Sequence, residues 1–246
     1  MTSYYVVAGA SGAIGRSLCH QIVQRGGTPL LVGRSTDRLQ ELRDELGTGD
    51  VLGGIDFSNE SVGDALKDEL SGVSIRGLAY AVGDIMLKPL KGSRTADFRQ
   101  SYQLHVLGAV ELIQASLKGL KAGSSPEDPS SVVLFSSIAA ARGLPNHSII
   151  GASKGAIEGL TRSLAAELAP SVRVNCVAPS LTQGSAMAAK MTSNEKMAQA
   201  IAQAHPLPRL GRPEDSANAA AFLLTDAGWT TGTVLSVDGG RSTVLK

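Results

Sequence analysis

Two short stretches of this chain combine residue types that could hold a phosphorylated ligand. The first is Ala8-Gly9-Ala10-Ser11-Gly12-Ala13-Ile14-Gly15, where glycines at 9, 12 and 15 follow directly on an apolar run. Gly9 allows a tight turn, and the missing Cβ atoms at Gly12 and Gly15 let backbone and helix come close. With a strand before the turn and a helix after it, pyrophosphate would meet free N–H groups and the positive end of the helix dipole around Ser11 to Ile14. The spacing is not the usual G-x-G-x-x-G, so the motif rests on its strand–turn–helix context; a glycine-rich turn that holds nothing is the alternative. The second stretch, Gly33-Arg34-Ser35, closes the next apolar run. In dinucleotide folds an acidic residue at this point takes the ribose 2′-hydroxyl, and a basic one takes a 2′-phosphate. Arg34 with Ser35 therefore points to NADP(H), against the alternative of a solvated arginine. Asp56-Phe57, after the third run, is placed to border the adenine.

The elements that would position these residues alternate along the chain. Tyr4–Ala8, Leu30–Val32, Val51–Ile55, Ile75–Ala81, Val132–Phe135, Val172–Val177 and Val234–Val237 read as strands. Most are nearly continuous apolar runs, as expected where both faces of a parallel sheet are covered. Between them, Ile14, Leu18 and Ile22 repeat at helical spacing up to a Gly26-Gly27 stop. Leu39, Leu42 and Leu46 form a second stripe with Asp37 as candidate cap, and Ile157, Leu160, Leu164 and Leu168 a third, closed by Pro170. Strand–helix alternation implies right-handed crossovers and an α/β fold: a three-layer, doubly wound Rossmann sheet with helices on both faces. The polar stretch 123–131 reads as a surface loop, so residues 1–246 form one dinucleotide-binding domain. The segment 180–204 falls beyond a strand's carboxyl end, where ligands bind, and reads either as a substrate-covering lid or as a surface helix.

Composition narrows the function classes. A formal net charge of +1, with no long Lys/Arg run, argues against nucleic acid or an anionic membrane as partner. No stretch of 18 or more apolar residues is present. The opening residues lack the basic and long apolar regions of a secretory signal, so the cytoplasm is the expected location. Cys19 and Cys176 have neither metal-ligand nor CxxC spacing and read as small core residues; no metal site is expected.

The far half of the chain carries more specific motifs. Arg173-Val174-Asn175-Cys176-Val177-Ala178-Pro179, then Pro206-Leu207-Pro208-Arg209-Leu210-Gly211-Arg212-Pro213-Glu214-Asp215, lead to Thr231-Gly232 and Val237-Asp238-Gly239-Gly240. With the glycine-rich turn, these resemble the short-chain dehydrogenase/reductase family, in its single-domain FabG-like branch, over about residues 4–240. The resemblance implies a seven-stranded parallel sheet in the order 3-2-1-4-5-6-7. It also implies a small-molecule substrate and a homotetramer or homodimer, with helices around 96–120 and 150–168 at an interface.

The resemblance further implies a serine, a tyrosine and a lysine at the reacting centre, backed by a helix asparagine. Ser137 matches the serine and Lys154 the lysine, which also grips the nicotinamide ribose. The tyrosine position, four before the lysine, is Ile150, and the asparagine position is His105. Isoleucine cannot donate a proton. His147, seven residues before Lys154, has the spacing that enoyl-thioester reductases of the superfamily give their tyrosine, and a histidine there could donate near neutral pH. An ordinary loop histidine is the other reading, and His105 acting through a bound water is a second candidate donor. Tyr80 and Tyr102 read as packing residues. The cofactor pocket departs from the family too: Asn-Asn-Ala-Gly is Tyr80-Ala81-Val82-Gly83, Pro-Gly is Pro179-Ser180, and the carboxamide threonine aligns with Gly184, close to Thr182 and Ser185. Backbone contacts through Ala81, Gly83 and Pro179 would survive these changes. The chain is thus expected to be an NADPH-dependent oxidoreductase passing hydride to a carbonyl or conjugated enoyl group with an atypical proton donor. The alternative is a catalytically inactive dinucleotide-binding subunit or sensor.

Overall fold

The structure, a computed structural model, describes residues 3–184, 188, 189, 192 and 194–245. Its strands are β1 (Ser3–Ala8), β2 (Thr28–Val32), β3 (Asp50–Leu52), β4 (Ser74–Tyr80), β5 (Ser130–Phe135), β6 (Val172–Pro179) and β7 (Val234–Val237). All pair in parallel, in the order β3-β2-β1-β4-β5-β6-β7. The expected sheet is therefore present. The third strand is shorter than the run Val51–Ile55, because Gly53-Gly54 breaks it and Gly54 takes φ +75°.

Alternation along each strand divides the core in two. Val6, Ala8, Val132 and Leu134 face one side; Val7, Val133 and Phe135 face the other. The first side is covered by α3 (Val62–Glu69), α5 (Gly108–Ala122) and α7 (Ser148–Leu168), through Leu66, Leu112, Leu120 and Ile157. The second is covered by α1 (Ala13–Gln24), α2 (Thr36–Leu46) and α9 (Pro213–Thr225), through Leu18, Ile22, Leu39, Leu42 and Leu224. Cys19 and Cys176 are free thiols inside these layers.

Caps set where the helices begin. The cap of α2 is Ser35, not Asp37: its Oγ accepts the Arg38 N–H at 3.4 Å, while Asp37 sits inside the first turn and faces the dipole. Helix α9 starts with Pro213, and Asp215 reaches back to the Arg212 N–H at 2.7 Å while pairing with Arg209. The segment after β6 is pinned to this start, since Gly211 N–H donates to Leu181 O and Gln183 N–H to Gly211 O. Ser180 Oγ and His205 Nε2 also meet, at 2.8 Å.

The helix preceding α5 is not regular. Between α4 (Thr95–Tyr102) and α5, residues Gln103–Leu107 form a π-turn. Tyr80 at the end of β4 donates its hydroxyl to Leu104 O at 2.6 Å and meets Phe57 edge-on, with ring centres 5.1 Å apart. Tyr80 is a packing residue as expected, whereas Tyr102 is 44% exposed and is not. The approach of helix to strand here depends on Gly108. A Cβ on it would stand 2.5 Å from Tyr80 Oη and 2.9 Å from Phe57 Cβ.

Helix propensity alone would make Gly108→Ala stabilising by up to about 1 kcal/mol. The clash reverses the sign, and we expect a loss of about 1–3 kcal/mol in urea unfolding. The loss should shrink in a Tyr80→Phe background; a neutral or stabilising Gly108→Ala would refute this account of the contact.

Candidate active site

The glycine-rich turn closes on itself at the carboxyl end of β1. Gly9 takes φ +78° and donates to Val32 O at 2.9 Å, and its own carbonyl accepts the Gly12 N–H at 2.9 Å. A Cβ on Gly15 would come within 2.2 Å of Gly9 O, and one on Gly9 within 2.7 Å of Ala81 O. Neither position tolerates a side chain without moving backbone. Helix α1 begins after Gly12, which supplies no side-chain cap, and its first turn holds no acidic residue. The N–H groups of that turn therefore keep their capacity to bind an anion.

These residues line one wall of a cavity of about 440 Å³. Gly12, Ile14 and Gly15 lie on it with Ala81 and Gly83 after β4, and with Pro179 and Thr182 at and beyond the end of β6. Ser137, His147, Ile150, Lys154 and His105 line it too. Ser11, Arg34, Ser35, Asp56 and Phe57 are not part of this lining, and Gly9 acts from beneath, by shaping the turn. Arg34 is exposed at the end of β2, and its charge reaches Asp56. The Asp56 carboxyl is held below its ordinary range chiefly by bonds from the Ser58 N–H and hydroxyl, with Arg34 adding to them. The expectation for Phe57 needs correction. Its ring is 2% exposed against Tyr80, so it has no face left for an adenine.

At the reacting end, Ser137 caps the short helix α6 (Ile138–Ala141). Its Oγ accepts the Ala139 N–H at 3.2 Å, which leaves the hydroxyl proton to donate into the cavity. Lys154 is buried on α7, and its Nζ donates to Phe135 O at 2.8 Å. Burial draws its pKa down to about 8. An ammonium group carries three donors, and this carbonyl takes one.

The two histidines differ. His147 stands at the N-cap position of α7, and its Nδ1–H donates to Pro145 O at 2.6 Å. Its Nε2 is then an acceptor on the neutral ring and becomes a donor on protonation. His105 lies in the π-turn, 3% exposed. Its Nδ1–H donates to Ser101 O at 2.8 Å and its Nε2 accepts the Asp84 N–H at 3.3 Å. Burial first, then the Lys154 charge, lower its pKa to about 3. Both ring nitrogens are committed and the ring stays neutral, so His105 does not serve as the proton donor that its position suggested. It supports the loop that carries Asp84. Gly83 gives these groups room: a Cβ there would lie 3.2 Å from His105 Nε2 and 3.9 Å from Lys154 Nζ.

Leu144 and Ile201, from the segments 143–149 and 180–204 expected to build the substrate pocket, also line the cavity, and so does Arg241, which sequence reasoning missed. Ile201 belongs to α8 (Glu195–Gln203) in the segment read as lid or surface helix. Residues 185–187, 190, 191 and 193 of that segment, including Ser185, lie outside the described residues. Among the described residues, no helix is long and apolar enough to cross a membrane.

The arrangement suits a dinucleotide. Bare helix N–H groups sit at one end of the cavity, and unspent lysine donors with a free serine proton sit at the other. Comparison with known proteins agrees. A family model described as enoyl-(acyl carrier protein) reductase matches residues 9–242. A chloroplastic tropinone reductase homologue of Arabidopsis thaliana is 32% identical over 248 residues, spanning 96% of this chain and 74% of the relative. L-xylulose reductase of Bos taurus is 30% identical over 239 residues, spanning 96% of this chain and 94% of the relative. Among solved structures, the RhlG/NADP active-site complex of Pseudomonas aeruginosa superposes with a TM-score of 0.90 at 25% identity, covering 98% of this chain and 96% of that one.

The neutral His105 has a consequence for stability. The unfolded chain takes up a proton near the ordinary value of 6.5, while the folded ring resists until about 3. The stability it contributes is whole above the unfolded value and is lost as pH falls through this window, by about 2 kcal/mol between pH 7 and pH 5. We expect His105→Asn to lose less stability than the parent over that interval in urea titrations. Equal slopes would show that the ring is not held neutral.

Proposed function

The chain belongs to the short-chain dehydrogenase/reductase family, whose members are NAD(P)-dependent oxidoreductases, and on that premise we propose that it is an NADPH-dependent reductase of a carbonyl or conjugated enoyl substrate. The observation that carries the reading is one continuous cavity running from the bare first turn of α1 to Ser137 and Lys154. At its α1 end, the N–H groups around Ser11 to Gly15 would hold the pyrophosphate, and beyond the lining, after β2, Arg34 with Ser35 would take the 2′-phosphate. Asp56 would border the adenosine. Lys154 would grip the nicotinamide ribose, with Pro179, Thr182 and the backbone of Ala81 and Gly83 around the ring. When bound, the reduced nicotinamide supplies a hydride.

The chain's own residues do the rest. Ser137 donates its free hydroxyl proton as a hydrogen bond to the substrate oxygen, where negative charge builds as the substrate is reduced. Ile150, at the position where the family has its tyrosine, has no proton to give. His147 stands on the same cavity wall, and its Nε2–H, present on the protonated ring, delivers the proton. A conjugated enoyl suits this site better than a simple ketone, because an enolate needs its oxygen stabilised more than it needs immediate protonation by a strong acid. The protein would act on a small molecule as a homodimer or homotetramer in the cytoplasm.

A second reading, a subunit that binds the dinucleotide and does not turn it over, is favoured by one observation. Ile150 puts an apolar, 4% exposed side chain one helical turn before Lys154.

Titration with NADPH and NADH, followed by nicotinamide fluorescence, tests the cofactor. We expect NADPH to bind the more tightly. Arg34→Ala should weaken NADPH by roughly 10- to 100-fold and leave NADH nearly unchanged, as for loss of a charge-assisted bond. Equal binding of the two in the parent would refute the reading of Arg34.

The donor is tested by His147→Ala and Ile150→Tyr. Histidine as donor predicts that turnover falls by about 10²- to 10⁴-fold in His147→Ala, and unchanged turnover would sink that role. Ketone reduction created by Ile150→Tyr in a protein otherwise without turnover would favour the second reading.

A further inference from the structure

An arginine on the wall of the same cavity, with a second beside it, has no part in the reading above. Arg241 follows the Gly239-Gly240 turn after β7 and lines the cavity wall. It also lines a second hollow of about 310 Å³, shared with Arg142. Arg142 ends α6, the helix that Ser137 begins, and its guanidinium donates to the Arg241 carbonyl. The Arg142 charge also acts on the Arg241 guanidinium across that hollow, and Arg142 stands one short helix away from the serine that would hold the substrate oxygen.

Two like charges are costly to bring together without a counter-ion. Among the described residues, neither guanidinium pairs with a carboxylate. The carboxylate whose charge reaches Arg241 is Asp238, and its oxygens are already occupied. They accept the Gly240 N–H at 2.9 Å, the Ser242 N–H at 2.9 Å and the Ser242 hydroxyl. Burial and the Arg142 charge together hold the Arg241 guanidinium below its ordinary pKa. Of the other charged residues on the cavity wall, Lys154 is tied to Phe135 O, and Asp84 turns its carboxylate onto the Ile85 N–H.

The dinucleotide does not explain this pair. β2, which carries Arg34, and β7 lie five strand spacings apart in the sheet, about 24 Å. β1, with the pyrophosphate turn, is about 19 Å from β7 on the same measure. Arg241 shares the lining with the residues of the substrate end. The rest of that end is largely apolar, with Leu144, Pro145, Ile138, Ile150 and Ile201.

We propose that Arg241, supported by Arg142, is the anchor for an anionic oxygen group, carboxylate or phosphate, on the substrate whose carbonyl meets Ser137. A guanidinium offers a planar pair of donors that matches either group. The proposal rests on the reading of this cavity as the reaction site and adds the substrate class: an acidic carbonyl compound with an apolar middle.

The test compares matched probes. Levulinate and methyl levulinate differ by the carboxylate charge; dihydroxyacetone phosphate and dihydroxyacetone differ by the phosphate. Binding of each is measured by calorimetry with and without NADPH, and NADPH consumption is followed in parallel. We expect at least one anion to bind roughly 10- to 100-fold tighter than its neutral partner, with the advantage shrinking as salt rises. The member of the two pairs that shows it identifies carboxylate or phosphate as the group. Arg241→Gln should erase the advantage and Arg241→Lys should keep part of it. No anion advantage in the parent, or an advantage intact in a folded Arg241→Gln, would overturn the proposal. Failure of the redox reading shows separately, as anion binding without NADPH consumption either with these ketones or with the conjugated acid trans-4-oxo-2-pentenoate.

Discussion

Parallel pairing throughout the sheet is the constraint from which the site follows. Parallel strands need crossovers, and crossovers place helices on both faces, so both faces must be apolar. The strands accordingly alternate apolar side chains to two separate cores, and the cavity lies beyond the strand ends. Because every strand points the same way, the carboxyl ends of β1, β4, β5 and β6 share one edge. Residues far apart in sequence (Gly12, Gly83, Ser137 and Thr182) therefore meet there without any of them occupying the core. The tight glycine turn after β1 packs closely at that edge, with the Gly9 carbonyl leaving no space for a side chain at Gly15.

The electrostatics of the edge follow from burial more than from charge pairing. Lys154 loses solvent on all sides and keeps one carbonyl, which makes its proton easier to lose. Its positive charge helps keep His105 neutral, and the neutral ring can then accept the Asp84 N–H. A protonated ring at that point would leave the amide without its acceptor and set two cations side by side. The π-turn at Gln103–Leu107 brings the ring into this position, and the Tyr80 hydroxyl takes a carbonyl within the turn.

Much of this was legible in the sequence because it depends on periodicity and on glycine. All seven strands and the turn at Gly9–Gly15 rest on patterns that local sterics enforce, whereas the strand order was implied by the family resemblance. The third strand was overestimated because apolar residues continue past a glycine pair that the backbone uses as a turn. Asp37 and Ser35 are both good caps by type, and only the backbone conformation at residue 35 separates them. Phe57 and His105 were read by position in a motif; whether a side chain turns inward or outward there is decided by packing across the sheet. Arg241 escaped notice for a different reason. It follows the closing Gly239-Gly240 motif without belonging to it and reaches the cavity only through tertiary folding.

The pinning of both ends of the segment after β6 has an implication for how such a protein can change. Leu181 and Gln183 are bonded to Gly211, and Ser180 to His205, so the two ends of the span between them are held together by the scaffold. Doubling the length of a loop whose ends are held costs only about 0.6 kcal/mol in closure entropy. The span from 184 to 204 can therefore gain or lose residues, and with them reshape what stands over the cavity, while the sheet, the glycine turn and the start of α9 keep their geometry. The length of this span and the stability of the fold are thus set in separable parts of the chain.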